Sequence, residues 1–241
     1  VLKSETKIHD PKEPKTLPKN GKGEVAFEHV SFHYPGAEED VLHDITFTAK
    51  PGETTAFIGS TGCGKSTLVN LIPRFYDVTE GKITIDGQDV RDLTQHALRD
   101  KLGYVPQKGV LFSGNIASNI MFGNPAGSEQ EMTEAAQIAQ AVEFIDTKPE
   151  RYKSPISQGG ANVSGGQKQR LSIARAIAKH PDVYIFDDSF SALDYKTDTV
   201  LRSALKEKTT DSVVLIVAQR ISTILHAEQI IVLDDGKIVG K

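Results

Sequence analysis

The stretch that most constrains this chain is Gly59-Ser60-Thr61-Gly62-Cys63-Gly64-Lys65-Ser66-Thr67, which reads G-x-x-x-x-G-K-S. Before it lies Thr54-Thr55-Ala56-Phe57-Ile58, a β-prone run suited to a buried strand; after it Leu68-Val69-Asn70-Leu71-Ile72 continues as a helix. Strand, glycine-rich turn and helix start are the setting of a P-loop. Glycines let the backbone curl so that successive N–H groups converge on phosphate oxygens, and the helix start adds the positive end of its dipole. The pattern places Lys65 on the β- and γ-phosphates and the Ser66 hydroxyl on Mg²⁺. The ligand expected here is a nucleoside triphosphate with its magnesium ion.

The rest of the chain reads as alternating strand and helix around that loop. Residues 1 to about 22 mix Lys3, Lys7, Lys12, Lys15, Lys19 and Lys22 with Pro11, Pro14 and Pro18, without apolar periodicity, which predicts a linker or extended arm. Val25-Ala26-Phe27-Glu28, Val30 to Tyr34 and Ile45 to Ala49 alternate as strands of an antiparallel sheet. Further strands are expected at Gly81 to Gly87 and Leu102 to Pro106, with a helix from Thr94 to Lys101 between them. Residues from about 109 to 178 read as mostly helical, including one helix from Glu129 to Phe144. Val183-Tyr184-Ile185-Phe186 and Val213 to Val217 are continuous apolar runs, as strands buried on both faces require. A helix from Thr197 to Lys208 separates them, and Ile230 to Val239 reads as a hairpin. Such alternation predicts an α/β core with a mostly parallel sheet.

Composition removes several classes. A net charge of −4 gives no basic excess for nucleic acid. No apolar run approaches the ~20 residues of a membrane helix. The lone Cys63 excludes an internal disulfide, and with no cysteine pairs the seven histidines show no zinc spacing. Cys63 reads as a small filler of the loop at which a bulky thiol reagent would exclude nucleotide. The chain starts at Val1 and stops just after the hairpin, so both ends read as cuts in a longer polypeptide.

A P-loop alone leaves kinases, GTPases and motor ATPases open. Asp187 ends the apolar run at Val183 to Phe186, the Walker B position, where a carboxylate holds Mg²⁺. Between the P-loop and this strand stands Asn162-Val163-Ser164-Gly165-Gly166-Gln167, followed by Lys168-Gln169-Arg170-Leu171-Ser172. Ser164 and two glycines at the start of a long helix leave N–H groups and a hydroxyl to hold an anion. With this segment the chain resembles the ATP-binding cassette (ABC) proteins, whose signature sequence it matches, and the resemblance runs from about Gly23 to the end.

The resemblance implies a P-loop (RecA-like) core with an N-terminal antiparallel β subdomain and an inserted α-helical subdomain at about 109–178, the cassette covering 23–241. It implies that Tyr34 stacks on adenine and that Gln107 touches Mg²⁺ and senses a transmembrane partner. It also implies that Ser164, Gly165, Gly166, Gln167 and Asp194 contact ATP held by the P-loop of a second cassette. Asn119 to Gly123 and Gln158-Gly159-Gly160 look like the exporter branch, although exporters usually carry Glu where Gln158 stands. Residues 1–22 would then be the connection from a transmembrane domain, placing the cassette at the cytoplasmic face of the membrane.

Two departures concern catalysis. Competent cassettes carry glutamate after the Walker B aspartate, where this chain has Asp188, and histidine at the switch position, where it has Gln219. Aspartate is as basic as glutamate but one methylene shorter, so Asp188 should sit too far from the attacking water. Gln219 can hydrogen-bond but does not titrate near neutrality as histidine does. Binding residues including Lys65, Ser66, Tyr34 and Asp187 are all present. In the resemblance this pair of departures marks the degenerate half of a heterodimeric multidrug-type exporter, which binds ATP, hydrolyses it slowly and donates its signature. A homodimeric exporter cassette, an importer ATPase, a DNA-acting ABC ATPase with a long coiled coil and a two-cassette translation factor are the rival readings.

Overall fold

The computed structural model describes residues 7–221 and 224–241; residues 1–6 of the expected arm lie outside the described residues. The chain opens with strands β1 (Val25–Phe32), β2 (Leu42–Ala49) and β3 (Thr54–Gly59), helix α1 (Lys65–Leu71), and strands β4 (Glu80–Ile85) and β5 (Gln88–Asp89). Helix α2 (Gln95–Asp100), β6 (Leu102–Val105), β7 (Gly114–Asn115), α3 (Ile116–Ile120), α4 (Glu129–Ile138), α5 (Val142–Asp146) and β8 (Pro155–Ile156) follow. Then come α6 (Gly165–Ala178), β9 (Val183–Asp187), α7 (Tyr195–Lys208), β10 (Val213–Val217), β11 (Gln229–Asp234) and β12 (Lys237–Gly240).

The elements form an antiparallel sheet ordered β2-β1-β4-β5 and a larger sheet ordered β12-β11-β3-β10-β9-β6. In the second sheet only β12 runs antiparallel. This is an α/β fold with a mostly parallel sheet, as the alternation of elements implied. The period of two in β9 explains how one strand serves two cores. Val183 and Ile185 pack with β1, β4 and α1 on one face, while Tyr184 and Phe186 pack with α4, α6 and α7 on the other. A strand between two apolar layers has no polar side, hence its unbroken apolar sequence.

Two local expectations change. The runs at Val25 and Val30 are one strand, because a register shift against β2 and β4 lets β1 continue past His29, whose φ is 51°. Opposite it stands Gly81, where a Cβ would meet the His29 carbonyl oxygen at 2.2 Å, so the bulge requires glycine there. The single helix expected from Glu129 to Phe144 is broken. Gln140 is left-handed (φ 55°), and Gln140 N–H and Ala141 N–H turn back to the Gln137 and Ala136 carbonyls, separating α4 from α5.

Residues 7–24 hold no helix or strand but lie along the outer elements. Asp10 accepts from the Gln95 N–H at 2.8 Å, and Lys15 pairs with Asp92 at 2.8 Å. The Asp86 carboxylate collects the N–H groups of Lys22, Gly23 and Glu24.

Candidate nucleotide site

Position in the sheet builds the site. Strand β3 lies between β11 and β10, and the chain leaves its C-terminal end at Gly59. A Cβ on Gly59 would meet the Leu233 carbonyl oxygen at 2.1 Å, so only glycine lets the loop leave so close to β11. Gly64 precedes α1 in a left-handed conformation (φ 101°) and no side chain caps the helix, which leaves the first-turn N–H groups available to a ligand.

The loop borders a cleft of about 200 Å³ lined by Thr61, Gly62, Gly64, Lys65, Ser66 and Thr67, with Gln107, Asp188, Val217 and Gln219 on the other walls. Ten residues from four stretches of sequence therefore meet, nine of them expected site residues. A larger cavity of about 660 Å³, between Lys7-Ile8 and Phe32, Arg74, Phe75 and Tyr76, holds none of the motif residues.

Within the cleft every charged group has a protein partner. Lys65 is buried and donates to the carbonyls of Gly59 and Ser60, both at 2.8 Å, with Cys63 Sγ at 3.5 Å. Ser66 Oγ donates to Asp187 Oδ1 at 2.8 Å. Burial pushes the Asp187 carboxyl above its ordinary pKa and nearby Asp188 adds to this, against the Ser66 hydrogen bond and Lys65. No group of three or more metal-ligating side chains occurs among the described residues, so the buried Asp187 carboxylate and the Ser66 hydroxyl beside it suit only a hard cation that takes most of its oxygens from phosphate and water.

Asp188 stands at the junction of β9 and β10. Its φ is 49°, a left-handed conformation that aspartate tolerates better than most residues, and its N–H donates to the Val217 carbonyl at 3.0 Å. Oδ2 accepts two amides, Gln219 Nε2 at 2.9 Å and Gln107 Nε2 at 3.1 Å. Val217 pairs with Asp187 in the β10–β9 register, which sets Gln219 beside Asp188.

Tyr34 stands outside the cleft lining. Its ring meets Phe32 and Tyr76 edge-on, at 5.0 and 5.2 Å between centroids, and its hydroxyl shares a 2.8 Å hydrogen bond with Thr67. The signature residues do not line the cleft either. Ser164 caps α6 and forms a reciprocal capping box with Gln167, and it is exposed. A Cβ on Gly166 would lie 3.4 Å from the Ala192 carbonyl oxygen, so this helix start lies beside the turn that leads to Asp194, the cap of α7. The chain thus carries two separate groups, a P-loop cleft and an exposed helix start with its neighbouring turn. The sequence motifs do not signal Val217, because its part is played by a backbone carbonyl that strand pairing alone delivers.

The sequence profile of the ABC transporter family matches residues 42–191, which hold the P-loop, the signature and the Walker B strand. The chain belongs to this family. An uncharacterized ABC transporter ATP-binding protein of Mycobacterium bovis is 46% identical over 243 residues, spanning 100% of this chain and 41% of that protein. A putative multidrug export ATP-binding/permease protein of Staphylococcus aureus is 45% identical over 217 residues, 90% of this chain and 38% of that protein. Among solved structures, a bacterial Atm1-family ABC exporter with ATP bound matches with a TM-score of 0.93 and 36% identity, over 98% of this chain and 41% of that one. The chain spans about two fifths of the length of these relatives, and its fold is that of an ABC exporter nucleotide-binding domain. ATP binding and an ATPase activity coupled to transport are traits of ABC transporters as a family. No helix among the described residues is long and apolar enough to cross a membrane.

Proposed function

We propose that this chain is the Mg-ATP-binding motor domain of an ABC exporter, and the catalytically impaired half of a heterodimer. The observation that carries the reading is the Asp188 carboxylate, one methylene short of the glutamate the family uses, held by Gln107 and Gln219 at the wall of the P-loop cleft. Lys65 would exchange its two loop carbonyls for the β- and γ-phosphates, the N–H groups of the loop would take the remaining phosphate oxygens, and Tyr34 would meet the adenine. Ser66, Asp187 and Gln107 would hold Mg²⁺, which when bound neutralises charge building on the phosphate oxygens. Asp188 would orient the attacking water and take its proton, but two amide donors already end on Oδ2 and the side chain is short, so that step is slow here.

Ser164, Gly165, Gly166, Gln167 and Asp194 are exposed or half-buried and lie apart from the chain's own cleft, as a surface offered to a second cassette requires. Residues 1–22 would join the cassette to a transmembrane domain, with 23–241 as the nucleotide-binding domain and 109–178 as its helical subdomain at the cytoplasmic face of the cell membrane. The name of the Staphylococcus aureus relative, a putative multidrug export protein, points to drug-like cargo. The test pairs ATP affinity with single-turnover hydrolysis by this chain, alone and mixed with the partner cassette. Tight binding with turnover only in the mixture supports the reading; brisk hydrolysis by the chain alone overturns the impaired-half assignment.

A further inference from the structure

Gln169 is 2% exposed on the second turn of α6, five residues after the Ser164 cap, and the steps described so far leave it without a role. Its carboxamide points out of the helix into the loop that carries Gln107. Nε2 donates to the Pro106 carbonyl at 3.1 Å and Oε1 accepts from the Gly109 N–H at 3.0 Å. The side chain therefore bridges the two backbone groups that bracket Gln107 and Lys108, as a neighbouring strand would. The loop is seated directly on the helix, since a Cβ on Gly109 would meet Ser172 Oγ at 2.8 Å and the Lys168 carbonyl oxygen at 3.0 Å. One turn and a half further on, Arg175 fastens the next segment of the loop by donating to the Val110 carbonyl at 2.9 Å.

On its other side the same loop reaches the cleft, through Gln107 Nε2 on Asp188 Oδ2. A buried amide satisfied on both of its ends leaves little slack, because parting from either backbone group strands a buried donor or acceptor. We propose that Gln169 is a positioning residue that couples what Gln107 meets in the P-loop cleft to the placement of α6 and its exposed Ser164 end. This rests on the proposed reading of the cleft as an ATP site.

The experiment is amide hydrogen exchange of residues 165–170 with and without Mg-ATP, in the wild-type chain and in Gln169→Met, with ATP affinity measured on the same samples. Met keeps the length and removes both polar contacts. The expected result is a nucleotide-dependent change in exchange in wild type that falls about two- to thirtyfold in Gln169→Met, while ATP affinity stays within about threefold. A merely structural Gln169 would lower protection equally with and without nucleotide, and that result overturns the proposal. If the Met variant fails to melt cooperatively, Gln169→Glu serves instead. It keeps the acceptor for Gly109, loses the donor to Pro106, and should show an intermediate response; a full wild-type response in it overturns the proposal. Absence of ATP binding by the wild type refutes the nucleotide-site reading and the coupling with it, whereas binding without any response at 165–170 refutes the coupling alone.

Discussion

Replacing Asp188 with glutamate tests the chemistry of the cleft most directly. The change adds one methylene, about 1.5 Å of chain, to a carboxylate whose backbone is pinned by the Val217 carbonyl and the end of β9. The two carboxylates have nearly equal intrinsic basicity, so the expected effect is one of reach. A misplacement of about 1 Å from near-attack geometry costs on the order of 10²-fold, and a well-placed general base is worth roughly 10²–10⁴-fold. Asp188→Glu should therefore raise single-turnover phosphate release by about 10²-fold, with ATP affinity unchanged because Lys65 and Ser66 are untouched. The structure adds a cost. Residue 188 is left-handed, where aspartate is eased by its short polar side chain and glutamate is not, so the variant should lose about 1 kcal/mol, or about 2–4 °C in Tm for a chain of this size. A variant that binds ATP, melts a few degrees lower and hydrolyses no faster than wild type would show that reach is not what limits this site.

Other perturbations separate the parts of the molecule. Ser164→Ala should abolish most turnover in the mixture with a partner cassette while leaving ATP affinity at the chain's own P-loop unchanged; unaltered turnover would exclude donation of the signature. Gly59→Ala forces a Cβ against the Leu233 carbonyl oxygen and should cost about 1–3 kcal/mol, whereas Gly62→Ala meets open space and pays only for its positive φ, so the Gly59 variant should show the lower Tm and the weaker ATP binding. At Asp89, burial raises the pKa, but the bidentate Arg91 side chain and the Arg91 N–H outweigh it and hold the carboxyl below its ordinary value of 3.8. A depressed folded pKa contributes stability above the unfolded pKa and loses it as pH falls through the folded one. Arg91→Ala should thus lower urea stability at pH 7 by about 1 kcal/mol, with the gap to wild type closing only below about pH 4; a gap that does not vary with pH would mean that Arg91 acts through packing.

Much of this molecule was legible in its sequence because the relevant signals are local. A P-loop needs its glycines, lysine and serine within nine residues, and buried parallel strands such as Val183–Asp187 must be apolar at every position. Ser164 announces the start of α6, and in the structure Thr94, Ser128 and Asp194 cap α2, α4 and α7 in the same way, although the sequence reading places the start of α7 two residues late. Elements that depend on a partner were less legible. The break at Gln140 and the continuity of β1 through His29 come from packing and from the gap left by Gly81, against which local propensity is weak. The motifs number the candidate residues of the cleft, yet only the sheet order brings them together. Gln219 and Asp188 are 31 residues apart and share a hydrogen bond because β9 and β10 are parallel neighbours in one register. The tie between Gln169 and the loop of Gln107 likewise spans more than sixty residues and leaves no periodic trace. By itself the sequence determined the chemical groups and the local turns that present them, since backbone preference and burial act over a few residues. The tertiary structure decided which carbonyl, amide and carboxylate share a hydrogen bond, since those partners are chosen by strand order and by how helix α6 packs beside β6.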